Sequence, residues 1–181
     1  MKKSVLLVAL FLSLHIGALY AQDTFSLCIG VEGDTYSANG LIGAGPVFGL
    51  DYRFNEMFSL GLRAIWAIDL GAPALFDLTT TQLDITVRWY FLRWKSMVDY
   101  YFSWQHKWHW FLQAEFGKVI MEWSANPGIA GTGFSISGTF GCRIKPEEYF
   151  FVEPYIRYGN PSGVGAGVLV GYTFHSTRGG Y

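Results

Sequence analysis

Between Phe58 and Asp69 the chain reads FSLGLRAIWAID. Phe58, Leu60, Leu62, Ala64, Trp66 and Ile68 take one set of alternate positions. Ser59, Gly61, Arg63, Ala67 and Asp69 take the other, with Ile65 the one exception. Successive side chains of a β-strand point to opposite faces, so this period of two makes a strand with an apolar and a polar side. The arginine sits in the middle of the polar side, so that side must offer it water or a partner charge.

The pattern recurs to the C-terminus, giving eight strand candidates at about 25–32, 45–54, 58–69, 82–92, 109–121, 133–144, 149–158 and 163–174. In the second, Phe48, Leu50, Tyr52 and Phe54 alternate with Gly49, Asp51 and Arg53. In the fourth, Leu83, Ile85, Val87, Trp89 and Phe91 alternate with Gln82, Asp84, Thr86 and Arg88. The eighth sets Val164, Ala166, Val168, Val170, Tyr172 and Phe174 against Gly163, Gly165, Gly167 and Gly171. Each run is about nine to twelve residues, the length a tilted strand needs to cross a bilayer. An even number of antiparallel strands closes the sheet and removes its edges. The expected fold is therefore all-β, an eight-stranded antiparallel up-and-down transmembrane β-barrel, apolar outside and polar within.

The N-terminus fits that destination. Lys2 and Lys3 precede an apolar run from Val5 to Tyr20, interrupted at Ser13 and His15 and too short for a membrane helix. Residues 1–21 read as a signal peptide cleaved after Ala21, leaving 22–181 as a single barrel domain in the outer membrane of a diderm bacterium. Removal of Lys2 and Lys3 from the 13 basic residues leaves the chain weakly acidic against 14 acidic ones, which speaks against nucleic acid as a partner. Aromatic residues at 18% beside charged residues at only 15% suit a wall wetted by lipid better than a soluble surface.

Antiparallel order sorts the connections. Residues 55–57 and 145–148 are short turns at the periplasmic end, with both termini. Residues 33–40, 70–81, 124–131 and 160–162 are outer loops. The segment 93–108, rich in Trp and Tyr, is a connection at the periplasmic end that either extends the flanking strands into a tall hairpin or forms a short interfacial helix. Pro46 and Pro154 each cost a ladder hydrogen bond or mark a bulge, since a barrel has no edge strand to hold them.

Two sets of side chains follow as candidate functional residues. Outward aromatics Tyr52, Phe54, Phe58, Trp89, Phe91, Trp110, Phe150, Tyr172 and Phe174 map to the periplasmic end, and Trp66, Phe134 and Tyr158 to the outer end. Amphipathic rings favour the headgroup level, so these form two membrane-interface girdles. Asp51, Arg53, Arg63, Asp84, Arg88, Glu115, Arg143, Glu153 and Arg157 point inward as a lumen charge network. An eight-stranded barrel is only wide enough to be filled by side chains, and an unpaired charge there is very costly. The network reads either as a salt-bridged plug or as a narrow polar conduit, with the glycines of the last strand leaving room for arginines.

Other chemistry finds little support. Cys28 and Cys142 fall on opposite faces of different strands, which disfavours a disulfide, and no Cys/His spacing suits a metal. His106 and His109 read as interfacial or solvated. No histidine maps to the outer rim, where a lipid-modifying enzyme would need one. No cofactor is expected, and Gly159–Gly167 (GNPSGVGAG) reads as a hairpin turn because it lacks the GK[ST] of a phosphate loop.

Gly45–Asp69 (GPVFGLDYRFNEMFSLGLRAIWAID) and Glu153–Phe174 (EPYIRYGNPSGVGAGVLVGYTF) resemble the strand–turn–strand hairpins of small eight-stranded outer-membrane proteins of the OmpA/OmpX/OmpW type. The resemblance spans 24–174; the cleavage site and closing hairpin are also similar to those of spirochaete proteins. It implies outer-membrane lipid and the barrel-assembly machinery as partners. It also implies a structural or surface role, or passage of small, hydrophobic solutes. Two alternatives stay open on residues alone: a secreted lipocalin-like barrel holding an apolar ligand, which needs the opposite polarity, and a lipid-modifying outer-membrane enzyme.

Overall fold

A computed structural model describes residues 24–36, 41–55, 57–70, 78–94, 107–123, 130–147 and 149–175. Among them are eight strands: β1 (Thr24–Tyr36), β2 (Leu41–Arg53), β3 (Phe58–Asp69), β4 (Leu78–Trp94), β5 (Lys107–Trp123), β6 (Ala130–Lys145), β7 (Phe150–Asn160) and β8 (Gly163–His175). Each pairs antiparallel with its neighbours in chain order, and β1 pairs with β8 from Thr24↔His175 to Asp34↔Gly165, closing the barrel. The candidate signal segment 1–21 lies outside the described residues.

The alternation sets the wall. On β3, Ser59, Arg63, Ile65, Ala67 and Asp69 are buried inside while Phe58, Leu60, Leu62 and Trp66 are exposed outside. Ile65, the exception to the pattern, points inward with the polar set. On β4, Gln82, Asp84, Thr86 and Arg88 are buried against exposed Leu83, Ile85, Val87 and Trp89. Apolar side chains therefore cover the outer surface and charged ones fill the interior. This polarity excludes the lipocalin-like arrangement, which requires an apolar interior able to hold a ligand.

Two expectations about the wall are corrected, and one left open is decided. Most strands run further toward the loop end, opposite the termini, than the apolar alternation does. β1 continues to Tyr36, β4 starts at Leu78 and β6 at Ala130, so parts of the expected loops 33–40, 70–81 and 124–131 are ladder. Thr79, Thr80 and Thr81 show why: β-branched polar residues hold a strand well without needing lipid on either side. At the other end Arg93 and Trp94 extend β4 against His109 and Trp108, past a register shift between Tyr90 and Leu92. The extended-strand reading of 93–108 thus holds at its root, and 95–106, with His106, lies outside the described residues. Finally, the inward β8 glycines make room for neighbours other than arginines. A Cβ at Gly165 would run into Asp34, one at Gly167 into the Tyr155 hydroxyl and one at Gly171 into the Phe151 ring.

Both prolines leave the register intact. The β2–β3 pairing stops at Ala44↔Ile68 and resumes at Val47↔Ile65, skipping Gly45 and Pro46. The β6–β7 pairing skips from Gly141↔Tyr155 to Ile144↔Val152, across Glu153 and Pro154. The residue offset is the same on either side of each gap, so each proline removes ladder bonds without inserting a bulge. The short turns are held locally: the Asn55 side-chain oxygen accepts from the amides of Met57 at 2.8 Å and Phe58 at 2.7 Å. Pro161 and Ser162 form the β7–β8 turn, with Gly163 at a φ of 55°, in keeping with the hairpin reading of that glycine-rich stretch.

Close backbone approach at the Pro46 gap yields a test. A Cβ on Gly45 would overlap the carbonyl of Trp66 and lie 2.9 Å from Ala67 Cα, neither of which can swing away. Gly45→Ala is expected to destabilise the barrel by about 1–3 kcal/mol. Gly33→Ala, whose nearest neighbour is 3.8 Å away, is expected to be close to neutral. Urea midpoints of the refolded variants measure both.

Candidate functional site

The lumen is where chemistry-bearing side chains converge. Asp51, Arg53, Arg63, Asp84, Arg88, Glu115, Arg143, Glu153 and Arg157 all occupy inward positions, because each sits in phase with the polar set of its strand. Among the described residues, seven of these, all but Asp84 and Arg53, join ion pairs that fall into two clusters.

The cluster nearer the loop end is built from β1, β3, β5 and β7. Arg63 pairs with Glu32 and, at 2.8 Å, with Glu115. Arg157 reaches Glu32 at 2.7 Å, Asp34 at 3.2 Å and Glu115 at 3.5 Å, and donates to Ser162 Oγ at 2.8 Å. Tyr155 donates to Glu32 at 2.6 Å, and its ring lies 4.4 Å below the Arg63 guanidinium. Ser137 and Thr139 hydroxyls donate to Glu115 at 3.0 and 2.6 Å. Three carboxylates here face two guanidiniums.

The cluster nearer the termini is built from β2, β4, β6 and β7. Arg88 pairs with Glu153 at 2.7 Å and with Asp51 at 3.9 Å. Arg143 pairs with Glu153 and, at 3.3 Å, with Asp51. Its guanidinium stacks 4.0 Å from Phe151, and that of Arg88 lies 4.1 Å from Phe111. Two carboxylates face two guanidiniums.

Gln113 joins the two clusters. Its carbonyl oxygen accepts from Arg88 Nε at 2.7 Å and its amide donates to Glu115 at 2.6 Å. The result is one hydrogen-bonded column from Asp34 near the loop end to Ser26 and Thr173 near the termini. Inward Val47, Ile65, Phe111, Phe151 and Leu169 pack around it, so charged heads sit between apolar side chains.

Two predicted members differ from the rest. Asp84 accepts from Ser135 and, at 2.5 Å, from Gln82, and no arginine bonds it among the described residues. Arg53 is half-buried at the terminal end and stacks 3.9 Å over the Tyr90 ring. Glu32, Asp34, Gln113, Tyr90 and Tyr155 also belong to the site, though none of them is among the lumen residues expected from the sequence. The signal for Glu32 and Asp34 was present: Ser26, Cys28, Gly30, Glu32 and Asp34 continue one parity into what looked like a loop. His109 also moves. Its parity on β5 is inward and it is buried edge-on to Tyr90 at 6.3 Å, not interfacial.

Outside, the predicted aromatics lie on the outward face. Tyr52, Phe58, Trp66, Trp89, Phe134, Phe150, Tyr158 and Phe174 are exposed, while Phe54, Phe91, Trp110 and Tyr172 are partly covered. Near the termini the rings touch in rows. Tyr172 meets Phe174 at 4.8 Å, Phe150 at 5.4 Å and Tyr149 at 5.7 Å; Phe140 bridges Trp110 at 5.4 Å and Phe91 at 6.3 Å. Cys28, partly buried inside, and Cys142, buried in the wall, are both free. Among the described residues no group of three His, Cys, Asp or Glu is placed to hold a metal.

The geometry has counterparts in solved bacterial outer-membrane proteins. Neisserial surface protein A is 10% identical, covers 86% of this chain and 97% of its own, and superposes with a TM-score of 0.57. OprG of Pseudomonas aeruginosa is 10% identical, with 85% and 97% covered and a TM-score of 0.55. The N-terminal β-barrel domain of OprF from the same organism is 16% identical, with 84% and 100% covered and a TM-score of 0.50. At such identities the likeness is one of fold. No protein-family model and no curated protein matches the chain.

The unequal clusters make a paired prediction. Glu153→Gln removes the carboxylate shared by Arg88 and Arg143 and leaves two buried guanidiniums with Asp51 alone. It is expected to cost about 3–5 kcal/mol. Asp34→Asn leaves Arg157 with Glu32 and Glu115 in the cluster that has a carboxylate to spare, and the amide oxygen can still accept from it, so its cost should be about 1 kcal/mol. Equal losses of urea stability in the two variants would contradict the two-cluster assignment.

Proposed function

We propose that this protein is an integral outer-membrane barrel whose lumen is closed by its own ion pairs, serving as a structural and surface element of the membrane. The observation that carries the closed lumen is the burial of the column. Glu115 and Glu153 are 0% exposed and Arg143 and Arg157 are 2% exposed, with apolar rings filling the space between them. Axial passage of a solute would require these pairs to part. Any role in passing small, hydrophobic solutes is therefore tied to the wall, where the seams at Pro46 and Pro154 lack cross-strand pairs.

Membrane placement is supported by the outer surface. Val164 to Phe174 supplies one unbroken outward apolar row, about 33 Å along the strand and about 25 Å in height at a tilt of about 40°, the height of an outer-membrane apolar band. The aromatic rows near the termini mark the periplasmic interface, and Trp66, Phe134 and Tyr158 the outer one. Export by residues 1–21, outer-membrane lipid as surroundings and assembly by the barrel-insertion machinery, with Phe174 as the last outward aromatic, complete the reading. No catalytic role is part of it.

Extraction should require detergent, and the folded protein should migrate differently from the boiled protein on a gel. A chain that stays soluble without detergent and shows no such shift would overturn the membrane reading. In planar bilayers the wild type should show no steady conductance; stable open-channel steps would overturn the closed lumen. Ile85 lies midway between the two aromatic levels on β4, so Ile85→Arg should cost about 2–4 kcal/mol in lipid vesicles, against about 0–1 kcal/mol for Thr79→Arg near the rim.

A further inference from the structure

Two charged side chains interrupt the apolar wall, one of them well inside a strand. Among the described outward side chains of the eight strands, only Lys118 and Glu122, both on β5, are charged. Glu122 lies one residue from the end of its strand. Lys118 lies well inside the strand, across from Leu83 on β4 and from Phe134 on β6, which is 85% exposed. It stands at the rim of a shallow groove of about 890 Å³ that crosses β3 to β6. Leu62, Leu83, Ile85, Phe116 and Phe134 make the groove apolar, and Thr132 and Gly133 keep it low toward the loop end.

We infer that this groove binds an anionic, phosphate-bearing lipid, with acyl chain along Leu62, Ile85 and Phe116 and phosphate on the Lys118 ammonium. The inference rests on the membrane reading above. Lys118 sits at the level of Phe134, where the outer interface begins, and its long stem carries the ammonium to the headgroups, where an anion is its natural partner. The protein supplies no such anion: among the described residues no carboxylate pairs with Lys118. The nearest acidic lining residue, Asp84, is turned inward onto Ser135 and Gln82. Glu122, four residues toward the rim, opposes an anion placed above Lys118 and so confines the phosphate to the level of Phe134. A zwitterionic headgroup brings its own cation to its phosphate, which leaves an anionic headgroup as the complement of an isolated lysine.

The test uses the full chain refolded into vesicles of equal parts dioleoylphosphatidic acid and dioleoylphosphatidylcholine, then released in mild detergent. Lipid retained on the protein is read by native mass spectrometry. Wild type should retain the phosphatidic acid about fivefold over the phosphatidylcholine. Lys118→Gln should bring the ratio close to one, Lys118→Arg should keep it, and Glu122→Gln should raise it. Equal retention of the two lipids by wild type, or an unchanged ratio in Lys118→Gln, overturns the site. Heat-shifted gel mobility is measured on the same samples. Its presence without a lipid preference fails this inference alone, and its absence in wild type fails the membrane reading. If Lys118→Gln lacks the shift, the wild-type and Glu122→Gln ratios decide.

Discussion

A guanidinium sealed inside an eight-stranded wall has no water to fall back on, and this governs how the interior is built. The penalty for an unpaired buried charge exceeds what any neighbouring contact returns, so Arg63, Arg88, Arg143 and Arg157 must each find carboxylates. Each finds at least two, and each draws at least one from a strand that is not its neighbour. Arg63 of β3 reaches β1 and β5, and Arg143 of β6 reaches β2 and β7. The ladders hold each strand to its neighbours; the ion pairs hold opposite walls at a set separation. Closure of β1 on β8 and charge pairing across the lumen therefore require one another.

Space is the second constraint. Long arginines and aromatic rings fit a narrow lumen only where other positions give way. The glycines of β8 do this, placing Asp34, Tyr155 and Phe151 from adjacent strands against bare backbone. The rings in turn lie flat under guanidiniums, as Tyr155 does under Arg63 and Phe151 under Arg143. Gln113, neutral and able to donate and accept at once, carries the column across the level where the two charge clusters meet.

Much of this was legible in the chain. The period of two placed Arg63, Arg88, Glu115 and Glu153 on one face and Leu62, Ile85 and Trp89 on the other, since strand geometry leaves a side chain two choices. It was less legible where the apolar partner of the alternation faded. Beyond Glu32 the outward positions become Gly33 and Thr35, so Asp34 looked like a loop residue although its parity was correct. Tyr90 and Tyr155 were inward by the same rule, but an aromatic ring in a charge-filled lumen is not something the alternation singles out. His109 was read from its aromatic neighbours, when its phase with Phe111, Gln113 and Glu115 was the better guide.

Strand number, the two faces of each strand, and which of the two carries most of the charge were determined by the sequence alone, because alternation is a local property of an extended backbone. Which face turned inward was not, since the same pattern serves a barrel of either polarity. That was decided by closure, which places the arginines in a volume where carboxylates from several strands surround them and leaves the apolar rows outside. The partners themselves were decided there too. Arg157 and Asp34 are 123 residues apart in the chain and 3.2 Å apart in space. Such a pairing depends on the offset between strands summed around the barrel, a quantity no single segment contains.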